Sequence, residues 1–150
     1  MKNLFEVSAA KEVKERIGRL GPNSVRQWGK MTAAQAMAHC STAMEWAVGD
    51  SNPKRMFLGR ILGPIAKSFA LKDEKPMARN APTAKSLVVS DERDLEKEST
   101  RLCVLVDRFA SGGPQRCTKH PHTFFGRLTP EEWATLMYKH LDHHLRQFGV

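Results

Sequence analysis

The stretch from Thr129 to Phe148 constrains the fold more than any other part of the chain. Thr129-Pro130-Glu131-Glu132 carries a helix start in four residues. It places a hydroxyl at the cap, a proline at the first helical position and acid in the first turn, where the helix dipole favours it. No Gly or Pro follows until Gly149, so the spacing predicts a helix over 130–147. A helix of that length with an apolar stripe must bury it against another layer of structure.

The rest of the chain supplies matching helices. Residues 8–20 read as one, with Ser8 as N-cap, apolar Val13, Ile17 and Leu20, and a stop at Gly21-Pro22-Asn23. Thr32 opens an alanine-rich helix to about Val48, stopped by Gly49 through Pro53. Ser90-Asp91-Glu92 opens a helix over 91–110 with a stripe of Leu95, Leu102, Leu105, Val106 and Phe109, closed by Ser111-Gly112-Gly113-Pro114. Residues 54–71 are less regular, and Gly59, Gly63 and Pro64 are predicted to break or kink them. Phe57, Ile61, Ile65 and Phe69 share one face there, with Lys54, Arg55, Arg60 and Lys67 off it. Such a segment more often packs over the mouth of its own domain; the alternative is a basic amphipathic helix on a membrane surface. Residues 72–90, with Pro76 and Pro82, read as loop, with a brief strand at Ser86–Val89, and 114–128 as a loop rich in His and Phe. Four long helices with little β content imply an all-α bundle in a single domain over 1–150.

Composition narrows the class. With 41% hydrophobic residues in 150, the chain has too much apolar content for disorder. No apolar run approaches the roughly 20 residues of a membrane-spanning helix, and the N-terminus has no continuous apolar signal segment. Three cysteines, Cys40, Cys103 and Cys117, argue against a disulfide framework and point to a cytoplasmic setting. The net charge of +8 is concentrated in residues 1–75, with 13 basic and 7 acidic residues. No concentrated basic run or aromatic RNA-binding signature accompanies it, so no nucleic-acid partner is expected.

The chemistry lies in the histidines. At about 100° per residue, His140 and His144 sit about 40° apart, on the face marked as buried by Trp133, Leu136 and Met137. His143 falls at the edge of that face, and Asp142 points away. Two imidazoles one turn apart on a buried face suit chelation of a transition metal. Histidines near a helix C-terminus also interact well with the dipole without any metal. On the alanine-rich helix, His39 shares a face with Thr32, Gln35, Ala36, Ala43 and Trp46. Alone it reads as a core histidine. Facing the other pair, it completes a three-nitrogen site with coordination positions left open, and Gln35 and Gln147 are candidates to brace the ligands. His143 is a further candidate for an outer role. His120 and His122 lie in a loop that could reach the open metal positions but read first as surface residues, and Cys40 reads as core.

Trp28-Gly29-Lys30-Met31-Thr32, Gln35 with His39, His120-Pro121 through Thr129, and the ending Tyr138 through Gly149 resemble the DinB/YfiT-like superfamily. Within it they resemble the branch called domain of unknown function 1569. The resemblance covers nearly the whole chain. It implies an up-down-down-up four-helix bundle, a long crossover carrying an accessory helix, and frequent dimerisation. It also implies a divalent metal, commonly nickel or zinc, on three histidines that match His39, His140 and His144. It does not deliver a reaction. A homodimer is further suggested by a second apolar strip on the last helix, Ala134, Tyr138, Leu141 and Leu145, which needs covering by the crossover segment or by a second subunit. Two functions follow. One is a metal-dependent hydrolase or a transferase using a small-molecule substrate and a low-molecular-weight thiol; the alternative is a non-catalytic metal- or ligand-binding bundle.

Overall fold

The computed structural model describes residues 1–81 and 83–150; Pro82, expected in a loop, lies outside the described residues. Among the described residues there are five α-helices and no β-strand: α1 (Val7–Ile17), α2 (Ala33–Val48), α3 (Phe57–Ala70), α4 (Leu95–Arg116) and α5 (Pro130–Gln147). Strand-like pairing among them is limited to one bridge, between His122 and Gly126.

Local chemistry sets the ends of α2 and α5. Thr32 and Thr129 each accept a backbone N–H with the side-chain hydroxyl, while Gln35 and Glu132 reach back to the cap residue's own N–H. These are two complete capping boxes. Gly49 closes α2 in the left-handed conformation that glycine adopts without strain.

Elsewhere tertiary contacts move the boundaries. Glu6, not Ser8, precedes α1, because Leu4 is fully buried and its N–H donates to the Ala134 carbonyl at 3.2 Å. That anchor starts the helix early. The opening of α4 shifts from Asp91 to Asp94, whose carboxylate accepts from the Lys97 N–H. Asp91 is held outside the helix by Gln35, which donates to its carbonyl, and by Arg93 on its carboxylate. The α4 segment also continues past Ala110 to Arg116, with a break at Gly113, where φ is 61°. The Thr118 N–H then bonds to the Ala47 carbonyl and returns the chain to α2. Lys85–Leu87 form a 3-10 turn where a short strand was expected.

The core is shared by α1, α2, α4 and α5. Val13 and Ile17 meet Met37, Cys40 and Met44, together with Leu102, Val106, Trp133, Leu141 and Leu145. The second apolar strip of α5 therefore finds its cover within the chain. Ala134, Leu141 and Leu145 are buried, and the Tyr138 hydroxyl donates to Glu12 of α1. A second subunit is not needed to cover that strip.

The accessory helix α3 departs most from expectation. It runs unbroken through Gly59, Gly63 and Pro64, and its apolar face does not pack on the domain. Only Gly59 and Gly63 are buried, against the backbone of Phe124. No described helix is long and apolar enough to cross a membrane.

One ionic contact fixes α1 on α5. Arg16 donates to Asp142 at 2.8 Å, both side chains 11% exposed, and also to the Val150 carbonyl at 2.9 Å. The other Asp142 oxygen accepts from Arg146. Removing one member strands the other charge in a place water scarcely reaches. Asp142→Ala is expected to cost about 3 kcal/mol in urea unfolding at neutral pH, and Arg16→Met with Asp142→Leu to cost clearly less. Equal losses in the two variants would show that the pair is not a buried charge contact.

Candidate metal centre

The seam between α2 and α5 holds three imidazoles. His39 projects from the middle of α2, where Ala36 and Ala43 keep that face small. His140 and His144 project from the last two turns of α5. One ring nitrogen of each lies within 4.8 Å of the others, and the His39 and His140 Nε2 atoms are 2.9 Å apart. His39 and His144 are buried, and His140 is partly open to solvent.

Backbone and amide partners orient two of the rings. The His39 Nδ1 lies 2.8 Å from the Leu87 carbonyl, which can only accept, so Nδ1 carries the proton. In the neutral ring, Nε2 then holds a free lone pair facing His140. The same logic applies to His144. The Gln147 amide nitrogen donates to the Trp28 carbonyl at 2.8 Å, which turns its oxygen toward His144 Nδ1 at 3.0 Å. His144 is thereby protonated on Nδ1 and free on Nε2. An imidazole whose outer N–H is fixed in this way is the usual form of a metal-bound histidine.

Gly29 makes the Gln147 brace possible. It sits at φ 76°, and a Cβ there would lie 2.5 Å from the Gln147 amide nitrogen. Trp28-Gly29 thus brings a carbonyl close to α5 where a larger residue would push it away.

Burial sets the charge state. It depresses the His39 pKa, partly offset by the Leu87 bond. Burial, followed by repulsion from His144 and His39, holds His140 well below the ordinary imidazole range. Burial first and His39 second push His144 down to about 3. All three are neutral near pH 7, as metal ligands must be.

The other candidates separate. Gln35 does not reach the histidines, because its side chain is committed to the α2 capping box and to the Asp91 carbonyl. His143 is half-buried, edge-on to Trp28 and to His144 at ring-centre distances of 5.8 and 5.0 Å. Arg79 stacks on the same Trp28 ring at 4.1 Å. His120 is exposed. His122 is half-buried rather than a free surface residue: it packs against Trp46, Phe125 and Trp133 and accepts the Phe124 and Phe125 N–H groups on Nδ1. Burial lowers its pKa to about 4. Cys40 is fully buried core, and burial pushes its thiol pKa up. A cavity of about 440 Å³ lined by Val48, Arg108, Phe109, Ser111, Gly112 and Arg116 contains none of the histidines.

Sequence reasoning missed the Leu87 and Trp28 carbonyls. Every residue has a carbonyl, so only Gly29 beside Trp28 offered a signal.

These groups predict a pH dependence for the metal-free protein. The unfolded chain takes up protons below about pH 6.5, while the folded imidazoles resist until well below that. Between these limits the unfolded state binds more protons, so stability falls as pH falls. In chelator, the urea midpoint should be lower at about pH 5 than at about pH 7, a window above most carboxylate titration. Equal midpoints would show that the rings are not buried neutral.

A family model described as "Protein of unknown function (DUF1569)" matches residues 2–149. Neither the curated proteins nor the solved structures contain a match to the chain.

Proposed function

The chain belongs to the DUF1569 family, and from that premise we propose that it is a divalent-metal-binding protein of the DinB/YfiT-like type. On this reading residues 1–150 are one four-helix bundle domain, and α3 is carried by the long crossover. The ligands are His39, His140 and His144, and the metal is nickel or zinc. The observation that carries the reading is the trio itself: three neutral imidazole nitrogens from two helices, close together, two with their outer N–H groups fixed. Without a shared ligand, clustering three such groups in a largely apolar seam brings desolvation cost and little return.

A divalent ion held there supplies Lewis acidity toward a carbonyl, a water or a thiol. The chain's own residues do the rest. Leu87 and Gln147 hold the tautomers, and His140 is the least buried of the three ligands. The reaction classes that fit are hydrolysis of an ester or amide, and transfer to a low-molecular-weight thiol. A binding protein without turnover uses the same donors, and the burial of His39 and His144 favours that alternative.

The test is zinc and nickel affinity of single variants measured side by side. His144→Ala should weaken binding by more than about 100-fold, because loss of an outer hydrogen-bond partner alone costs about 10–100-fold. Gln147→Ala should fall in that latter range. His143→Ala should change affinity less than about tenfold. Full metal retention in His144→Ala, or complete loss in a folded His143→Ala, would mean that other histidines hold the ion.

A further inference from the structure

The exposed face of α3 is the largest feature that the metal-centre reading leaves unused. Phe57, Leu58, Ile61, Leu62, Ile65 and Phe69 are exposed by between 45% and 77%. At about 100° per residue they fill one arc of roughly 140°. Contiguous apolar surface of this kind marks an interaction site.

The arc is held outward by specific contacts. The Met56 N–H donates to the Thr123 carbonyl at one end of α3. At the other end the Lys139 ammonium donates to the Ala70 and Asp73 carbonyls at 2.6 and 2.9 Å. Lys67 pairs with Glu132 at 2.9 Å. Between them, Gly59 and Gly63 meet the Phe124 backbone so closely that a Cβ at Gly63 would overlap its carbonyl oxygen. Turning the helix to bury its phenylalanines would break all of these.

Charge identifies the partner. From Ser51 to Lys72 the chain holds Lys54, Arg55, Arg60, Lys67 and Lys72 and no acidic residue. Lys54, Arg60 and Lys72 are exposed, Arg60 on α3 itself and the other two just beyond its ends. A second copy would set this basic rim against itself, since a two-fold contact repeats the same surface. An anionic lipid headgroup layer complements it, with the apolar arc entering the acyl boundary. We propose that α3 is a docking surface for anionic phospholipid membranes, lying in the interface plane. This does not rest on the metal-centre reading.

The full-length chain would be floated with vesicles of phosphatidylcholine alone or with phosphatidylserine. It should bind the anionic vesicles at least about tenfold better than the neutral ones, and added salt should weaken the binding. Ile61→Ser with Phe69→Ser, and separately Lys54→Gln with Arg60→Gln, should each lower the partition about tenfold or more. Unchanged helical content and metal content would show that both variants fold and keep the other site. Absence of binding to anionic vesicles, or binding untouched by either variant, would overturn the proposal. So would a dimeric mass in light scattering that Ile61→Ser with Phe69→Ser abolishes without any vesicle binding by the parent chain, which would assign the arc to a second copy.

Discussion

A buried imidazole must have its N–H satisfied, and a cluster of them must stay neutral. That requirement organises much of this molecule. His39 meets it through the Leu87 carbonyl of the crossover, and His144 through Gln147, one turn on along its own helix. Gln147 in turn spends its amide hydrogen on the Trp28 carbonyl, in the segment that leads into α2. The segment before α2 and the crossover before α4 are therefore tied to the seam by hydrogen bonds of fixed polarity. Each bond is modest alone, but losing one leaves a buried donor unpaired, at about 1–3 kcal/mol.

The last helix is loaded differently on its sides. One face offers His140 and His144 to α2. Another offers Leu141 and Leu145 to the core shared with α1, and Asp142 takes Arg16. The separation follows from helical spacing, since neighbouring residues diverge by about 100°. It lets α5 carry nitrogen donors and a buried charge pair without their competing for partners. The Asp142 carboxylate is spent on Arg16 of α1 and on Arg146 rather than on His39, His140 or His144.

Close backbone approach recurs at glycine. Gly29 admits Gln147, and Gly59 and Gly63 admit the Phe124 strand-like turn. In both places a missing Cβ lets polar backbone meet a neighbouring element directly. For α3 the consequence is unusual: the helix docks through its smallest residues and its backbone, and its largest residues face outward.

The sequence by itself determined the helical class, the sharp starts at Thr32 and Thr129, and the stop at Gly49, because capping chemistry acts over three or four residues. It also placed His140 and His144 on one face, since helical periodicity alone decides which side chains align. It brought His39 into consideration through its alanine neighbours. What only the tertiary structure decided is which face meets which. The Ser90-Asp91-Glu92 opening gave way to Asp94 as cap, with Asp91 bonded outside the helix to Gln35. Gln35 was as well placed as Gln147 to brace an imidazole, yet the cap claimed it. His122 read as surface because its loop is polar at the ends, and burial against Trp46 and Trp133 came from α2 and α5. The sequence left the orientation of α3 open between the domain's mouth and an outward face. An amphipathic pattern states that a face is apolar, while contacts between distant backbone atoms, here at Phe124 and Lys139, decide whether the protein or its surroundings cover it.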